Sequence, residues 1–255
     1  MPDHVNVERD GRLMIITMNR PASLNALHAP ACFEMSDALD EFQNDPELWI
    51  AIITGAGEKA FCSGHDLVEG FYEPMPATGW AGLAKREGLD KPIIAAVNGY
   101  AMGGGFEIAL MSDIVIAEEH ASFGLSEPRW GFVAAGGGSQ KLPLRLPKPI
   151  AMGMLLTGNR MGADEAARWG LVNEVVPKGQ SVAAARRWAD DILKCSPQAV
   201  RYTKHIAMLA MEPEVASKPA FDFVEVMKPR LFALNDTKEG QLAFAEKRKP
   251  VWTGR

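Results

Sequence analysis

"KPIIAAVNGYAMGGGFEIALMSDIVIA", residues 91–117, reads as a strand, a glycine loop, a helix and a second strand. Pro92 to Val97 is a short apolar run closed by the turn signal Asn98-Gly99. Gly103, Gly104 and Gly105 then stand directly before the apolar segment Phe106 to Leu110, and Asp113 to Glu119 repeats the strand pattern. Strands alternating with helices imply crossover connections and an α/β core. One residue disturbs this order. Glu107 puts a carboxylate into an apolar stretch, which is costly unless the group is paired or used.

The same alternation extends outward. Arg12 to Met18 and Trp49 to Thr54 are further strands, the second closed by Gly55 and Gly57. Cys32, Met35, Leu39 and Phe42 recur at helical spacing, so Ala31 to Phe42 reads as an amphipathic helix. Phe71 to Ala84 mixes proline, glycine and aromatic residues and reads as a long surface loop. After about Gly162 the character changes. A short helix, "ADEAARWG", stops at Gly170, and helical patterns broken by Pro197, Pro213 and Pro229 run to the end. The expected division is a mixed core over residues 1–195 and a helical region over 196–255, packed on the core or on neighbouring subunits.

Composition excludes several classes of function. With 255 residues, 47% of them hydrophobic, there is enough chain for one large core. A net charge of -5, and no dense basic run before "EKRK" at 246–249, argue against a nucleic-acid partner. Cys32, Cys62 and Cys195 are odd in number and include no CxxC pair, which suits free thiols in a reducing compartment rather than a disulfide framework or a zinc site. "MPDHVNVERD" is too polar for a signal peptide, and no stretch has the apolar length of a membrane span. A cytoplasmic protein is expected.

The glycine loop then needs a purpose. Neither G-x-x-x-x-G-K-[ST] nor G-x-G-x-x-G occurs at a strand-to-helix turn, so phosphate and dinucleotide cradles are not indicated. Two readings stay open: main-chain N–H groups offered to a developing negative charge, or tight strand–helix packing without chemistry. A second loop, "GAGEKAFCSGHDL" at 55–67, also follows a strand, and its Ser63-Gly64-His65-Asp66 reads as another turn into helix. Parallel neighbouring strands would bring both loops to one sheet edge. Glu127, in "FGLSEPRWGF", could return beside Glu107; on spacing alone an ordinary surface glutamate is the more natural reading.

Taken together, residues 91–117, the "FCSGHDL" loop, "FGLSEPRWGFVAAGGGSQKL", "LLTGNRMGADEAARWGLVNEVVP" and "AFAEKRKPVW" resemble the crotonase superfamily of enoyl-CoA hydratases and isomerases over nearly the whole chain. The "GADEAARWG" segment and the tail look closest to its carnitinyl-CoA dehydratase and hydratase branch. The resemblance implies a spiral of ββα units with a C-terminal helical trimerisation region, and trimers that pair into hexamers. It implies an acyl-CoA thioester as substrate and no cofactor or metal. Glu107 and Glu127 would be the catalytic pair, with the N–H groups of His65 and Gly104 as the oxyanion hole. Cys62, Ser63, Asp66, Leu67, Gly103 and Gly137 would border the substrate, and Phe244 and Lys247 would cover coenzyme A. Two departures stand out. His65 replaces a small residue, and its side chain reads most simply as an exposed loop histidine; Ala134-Ala135 stands where the family often has Pro-Gly, beside the acyl pocket.

Overall fold

A computed structural model of the chain describes residues 4–68, 74–211, 229, 232–233 and 235–251. Its centre is a six-stranded sheet. At one edge β1 (Val5–Asp10) pairs antiparallel with β2 (Leu13–Met18). From β2 onward, β3 (Ile50–Gly55), β5 (Ile93–Val97), β7 (Ile114–Glu118) and β10 (Glu174–Val176) follow side by side, all parallel. The four inner strands predicted from apolar runs are found within a residue or two of their expected ends.

Their continuous hydrophobicity has a plain cause: both faces of the sheet are covered. Met14, Ile16 and Met18 face one core with Ala51, Ile53 and the helix α1 (Ala29–Asn44). Leu13 and Ile15 face the other, with Ile52, Ile94 and Ala185 of α6 (Ser181–Leu193). Strands buried on both sides lose the polar alternation of a half-exposed strand. Each fully buried Ile or Met contributes about 1.5–3 kcal/mol by leaving water.

A second, four-stranded sheet was not legible as strands. It consists of β4 (Ala60–Cys62), β6 (Tyr100–Met102), β8 (Ser122–Gly124) and β9 (Met161–Gly162), each at most three residues long. The pattern is regular. β3 is followed by β4, β5 by β6 and β7 by β8, so each long parallel strand is succeeded by a short one in the other sheet. β6 then leads into α2 (Gly104–Met111), and β8 leads through a 3-10 turn at Glu127–Trp130 to α3 (Gly138–Arg145). This is the ββα repeat of the expected spiral.

The described C-terminal residues follow their predicted helical character except at one short strand. α4 (Lys148–Thr157), α5 (Ala163–Arg168), α6 and α7 (Pro197–Met211) are helices, but Glu174–Val176 between them is β10, an edge strand of the main sheet. Pro197 opens α7, where its missing N–H costs nothing. Pro213 lies outside the described residues. Arg201 pairs with Asp90 at 2.8 Å and Lys204 with Asp113 at 2.7 Å, tying α7 to the loops that lead into β5 and β7. The final helix, Asn235–Ala245, docks on the Glu127–Trp130 turn of its own chain.

Candidate active site

The three glycines are explained by three separate close approaches. Gly103 caps α2 at φ 53° and ψ -127°, a conformation that side chains with a Cβ avoid. A Cβ added to Gly104 would lie 2.3 Å from the Trp80 indole, and one added to Gly105 would lie 2.0 Å from the Cys62 carbonyl oxygen. The packing reading holds at Gly105, where a side chain would meet main chain. Gly105 serves packing against β4, while Gly103 and Gly104 border the site.

Two loops meet beside the start of α2. Gly104 is the first residue of α2, so its N–H has no acceptor within the helix. The Gly64 carbonyl and the Asp66 N–H both bond Leu27, at 2.9 and 3.0 Å, in a parallel bridge centred on His65. That pairing turns the N–H of His65 to the side away from Leu27. The loops touch: a Cβ on Gly64 would come within 3.1 Å of the Gly104 nitrogen.

Both glutamates lie at the start of α2, Glu107 in its first turn and Glu127 against its cap residue Gly103. Glu107 is 4% exposed, and one of its carboxylate oxygens accepts the N–H of Gly138 at 2.8 Å. Its other oxygen lies where Gly136 leaves room, 2.4 Å from the position a Cβ would take. Glu127 reaches Gly103, its Oε1 lying 3.1 Å from where a Cβ there would be. Its Oε2 is closed off from solvent and has no hydrogen-bond partner among the described residues. Burial, and then the charge of Glu107, push the Glu127 carboxyl up to about 8. The surface reading of Glu127 is thereby corrected. A strand return through β7 and β8 brings it back to α2.

Other expected residues fall out variously. Cys62, assigned by resemblance to the substrate, is wholly buried with its thiol pushed up to about 12 by burial, and its contribution is packing against Gly105. Asp66 forms a buried ion pair with Arg20 at 2.8 Å, which holds the loop rather than a ligand. Ser63 and Leu67 are partly exposed beside His65, and the loop forms no helix as far as Val68. Phe71 and Tyr72 lie outside the described residues. Gly137 caps α3 at φ 118°, and the residues that meet Glu107 are its neighbours Gly136 and Gly138. Phe244 stacks edge-on against Trp130 at 5.1 Å, while Lys247 sits just beyond the helix at φ 55°. The His65 side chain is no idle surface group: its Nδ1 accepts the Trp80 indole N–H at 3.2 Å. No sequence pattern signals that bond, nor Gly136 and Gly138 as the seat of Glu107. Among the described residues, no group of three or more His, Cys, Asp or Glu side chains is arranged to hold a metal.

Main-chain donors from two loops beside a protonatable glutamate pair define a site suited to stabilising an enolate-type oxyanion and moving protons around it. Residues 8–255 match the family model described as enoyl-CoA hydratase/isomerase. The carnitinyl-CoA dehydratase of Escherichia coli K12 is 43% identical over the full length of both chains. A crystal structure of carnitinyl-CoA hydratase from Mycobacterium avium superposes with a TM-score of 0.93 at 43% identity, covering all of both chains. An enoyl-CoA hydratase from Mycobacterium tuberculosis H37Rv gives 0.78 at 40% identity, covering 99% of this chain and 100% of its own. The chain belongs to the enoyl-CoA hydratase/isomerase family.

Proposed function

We propose that the protein is a hydratase-type lyase that reversibly adds water across the C2=C3 bond of an acyl-CoA thioester. The observation that carries this reading is the Oε2 of Glu127, buried and without a hydrogen-bond partner among the described residues, beside a seated Glu107. A buried carboxyl oxygen left unpaired costs about 1–3 kcal/mol unless a ligand or a proton satisfies it. In hydration, Glu107 takes a proton from water as its hydroxyl bonds to C3. The π electrons pass to the thioester oxygen, held by the N–H groups of His65 and Gly104. Glu127 then gives its proton to C2 as the carbonyl re-forms. One water is added, and the pair holds one proton at the start and one at the end, the second proton of the enolate stage having come from the water. Dehydration runs the same steps backward.

Glu107 favours this over double-bond isomerisation, which needs only one carboxylate to move a proton between carbons. Among acyl groups, the carnitinyl-CoA dehydratases at 43% identity support a carnitine-derived substrate, with simple enoyl groups as the second choice. Turnover of crotonyl-, longer enoyl- and aromatic enoyl-CoAs, followed by loss of the conjugated thioester absorbance, and of carnitinyl-CoA, followed by its appearance, tests both. Isomerised product without hydration on every substrate would sink the lyase reading. Residues 196–255 would pack between subunits of a trimer or hexamer, with Phe244 and Lys247 near coenzyme A. A stable monomer in sedimentation would refute that arrangement. The three free cysteines support a cytoplasmic setting.

The shared proton sets a pH limit. With its carboxyl pushed up to about 8, Glu127 holds its proton below that pH and loses it above. Catalytic efficiency is therefore expected to fall about tenfold per unit above roughly pH 8. The fall should coincide for hydration and dehydration, because the two differ only in which glutamate holds the proton. Two limbs with separate midpoints would contradict a shared proton.

A further inference from the structure

The His65–Trp80 contact has no place in the chemistry above, yet it touches both halves of the oxyanion hole. Trp80 presents two ends of one rigid side chain. Its six-membered ring lies against Gly104, where carbons of that ring fall 2.3–2.7 Å from the position of a Cβ. Its Nε1–H donates to His65 Nδ1 at 3.2 Å. We propose that Trp80 is a positioning residue, joining the His65 loop to the first residue of α2 so that their two N–H groups meet on one thioester oxygen. This rests on the oxyanion-hole reading of the site and assigns the His65 side chain a task within it.

The two donors belong to different elements with separate anchors. The His65 loop is pinned to Leu27, and Gly104 moves with α2. Oxyanion donors must lie about 2.7–3.1 Å from the developing charge, and a displacement of about 1 Å can cost about 10²-fold in rate. A rigid strut between the loops fixes their spacing where each anchor alone does not.

The strut is itself braced. Trp80 begins a 3-10 turn, Trp80–Gly82, and Gly82 lies so close to α1 that a Cβ would fall 2.6 Å from the Ser36 Cα. Ser36 Oγ and Thr78 Oγ1 are hydrogen-bonded at 2.8 Å. Arg86 donates to the Ser36 carbonyl at 3.1 Å and pairs with Asp40 at 2.7 Å. α1 therefore holds the turn, the turn holds Trp80, and Trp80 spans the two donors. The bond also fixes the imidazole tautomer: an accepting Nδ1 leaves the ring proton of a neutral imidazole on Nε2.

The test reads the thioester directly, using the full-length protein and butyryl-CoA, a saturated thioester with no double bond to hydrate. Infrared difference spectra should show the bound carbonyl stretch moved to lower frequency in the wild type. Trp80→Phe keeps a ring near Gly104 and removes the N–H. It should shrink that shift and lower kcat about tenfold on the best enoyl substrate, with KM within about twofold. His65→Ala should do the same, and the double variant should lose no more than either single one, the signature of one shared interaction. His65→Gln, which supplies an acceptor oxygen, should recover part of the shift. A wild-type shift and kcat in Trp80→Phe, or losses that add in the double variant, would overturn the proposal. So would a wild-type spectrum with no carbonyl shift. Because butyryl-CoA is not hydrated, a failure of the hydratase reading alone leaves the spectral result intact and separately interpretable.

Discussion

Glu107→Gln and Glu127→Gln are each expected to lower kcat by about 10²–10⁴-fold, the usual worth of a general acid or base. Butyryl-CoA should still bind, because the oxyanion donors are main-chain groups that neither substitution removes. The two changes act on different partners. In Glu107→Gln the new amide would present either its oxygen or its NH₂ to the Gly138 N–H, and only the oxygen keeps the 2.8 Å bond that seats Glu107. Glu127→Gln removes a proton that burial and the neighbouring charge keep on the carboxyl up to about pH 8. That substitution should therefore also change stability with pH. The folded-state value of about 8 lies above the ordinary 4.5. The folded wild type thus binds a proton that the unfolded chain has lost between those values, and loses stability as pH rises through them. The slope is at most about 1.4 kcal/mol per pH unit. Thermal unfolding of the two proteins should diverge as pH rises from about 4.5 and reach its full difference near pH 8, where the glutamine variant is relatively the more stable. Near-normal turnover by Glu107→Gln, with Glu127→Gln dead, would replace the hydratase reading by an isomerase.

The inner parallel strands were legible because burial on both faces removes any need for polar alternation; "RLMIITM" and "PIIAAV" leave little else to be. β1 was not legible for the converse reason. It is an edge strand with only Val5 buried, so "VNVERD" carries no core signal. The short strands β4, β6 and β8 are too brief for a period and take their identity from pairing with one another. At the site, the apolar setting of Glu107 and the two glycine-bearing loops stood out from the residues themselves, and the resemblance supplied the roles of Glu107, Glu127, Gly104 and His65. Periodicity supplied none of their roles, and spacing alone favoured a surface Glu127. What carries the Glu127 environment is tertiary: a buried oxygen, a neighbouring carboxylate and a glycine at 103 that leaves it room. The bond between Trp80 and His65 joins two loops through side chains alone, a contact that no local pattern encodes.

Adjacent glycines should fail in different ways. Gly105→Ala is expected to cost stability, because its Cβ would sit 2.0 Å from the Cys62 carbonyl oxygen and 2.7 Å from the carbonyl carbon, both main-chain atoms. β4 is held there by its pairing with β6, and α2 packs a fully buried Phe106 behind the contact, so neither backbone can yield cheaply. Overpacking of this kind costs about 1–3 kcal/mol and more where main chain must move. A clear fall in Tm should accompany any loss of activity. Gly104→Ala meets a side chain instead. Its Cβ would lie 2.3–2.7 Å from three atoms of the Trp80 ring, and a half-buried indole can swing away where a carbonyl in a sheet cannot. The variant should fold with a Tm near that of the wild type, but the displaced ring would no longer span His65 and α2. Loss of one well-placed oxyanion donor is worth about 10²–10³-fold in kcat, and Gly104→Ala should approach the lower end of that range with thioester binding largely kept. If Gly104→Ala instead unfolds the protein, and Gly105→Ala leaves Tm unchanged, Gly104 is the packing glycine and the main-chain donor must be sought elsewhere in the loop.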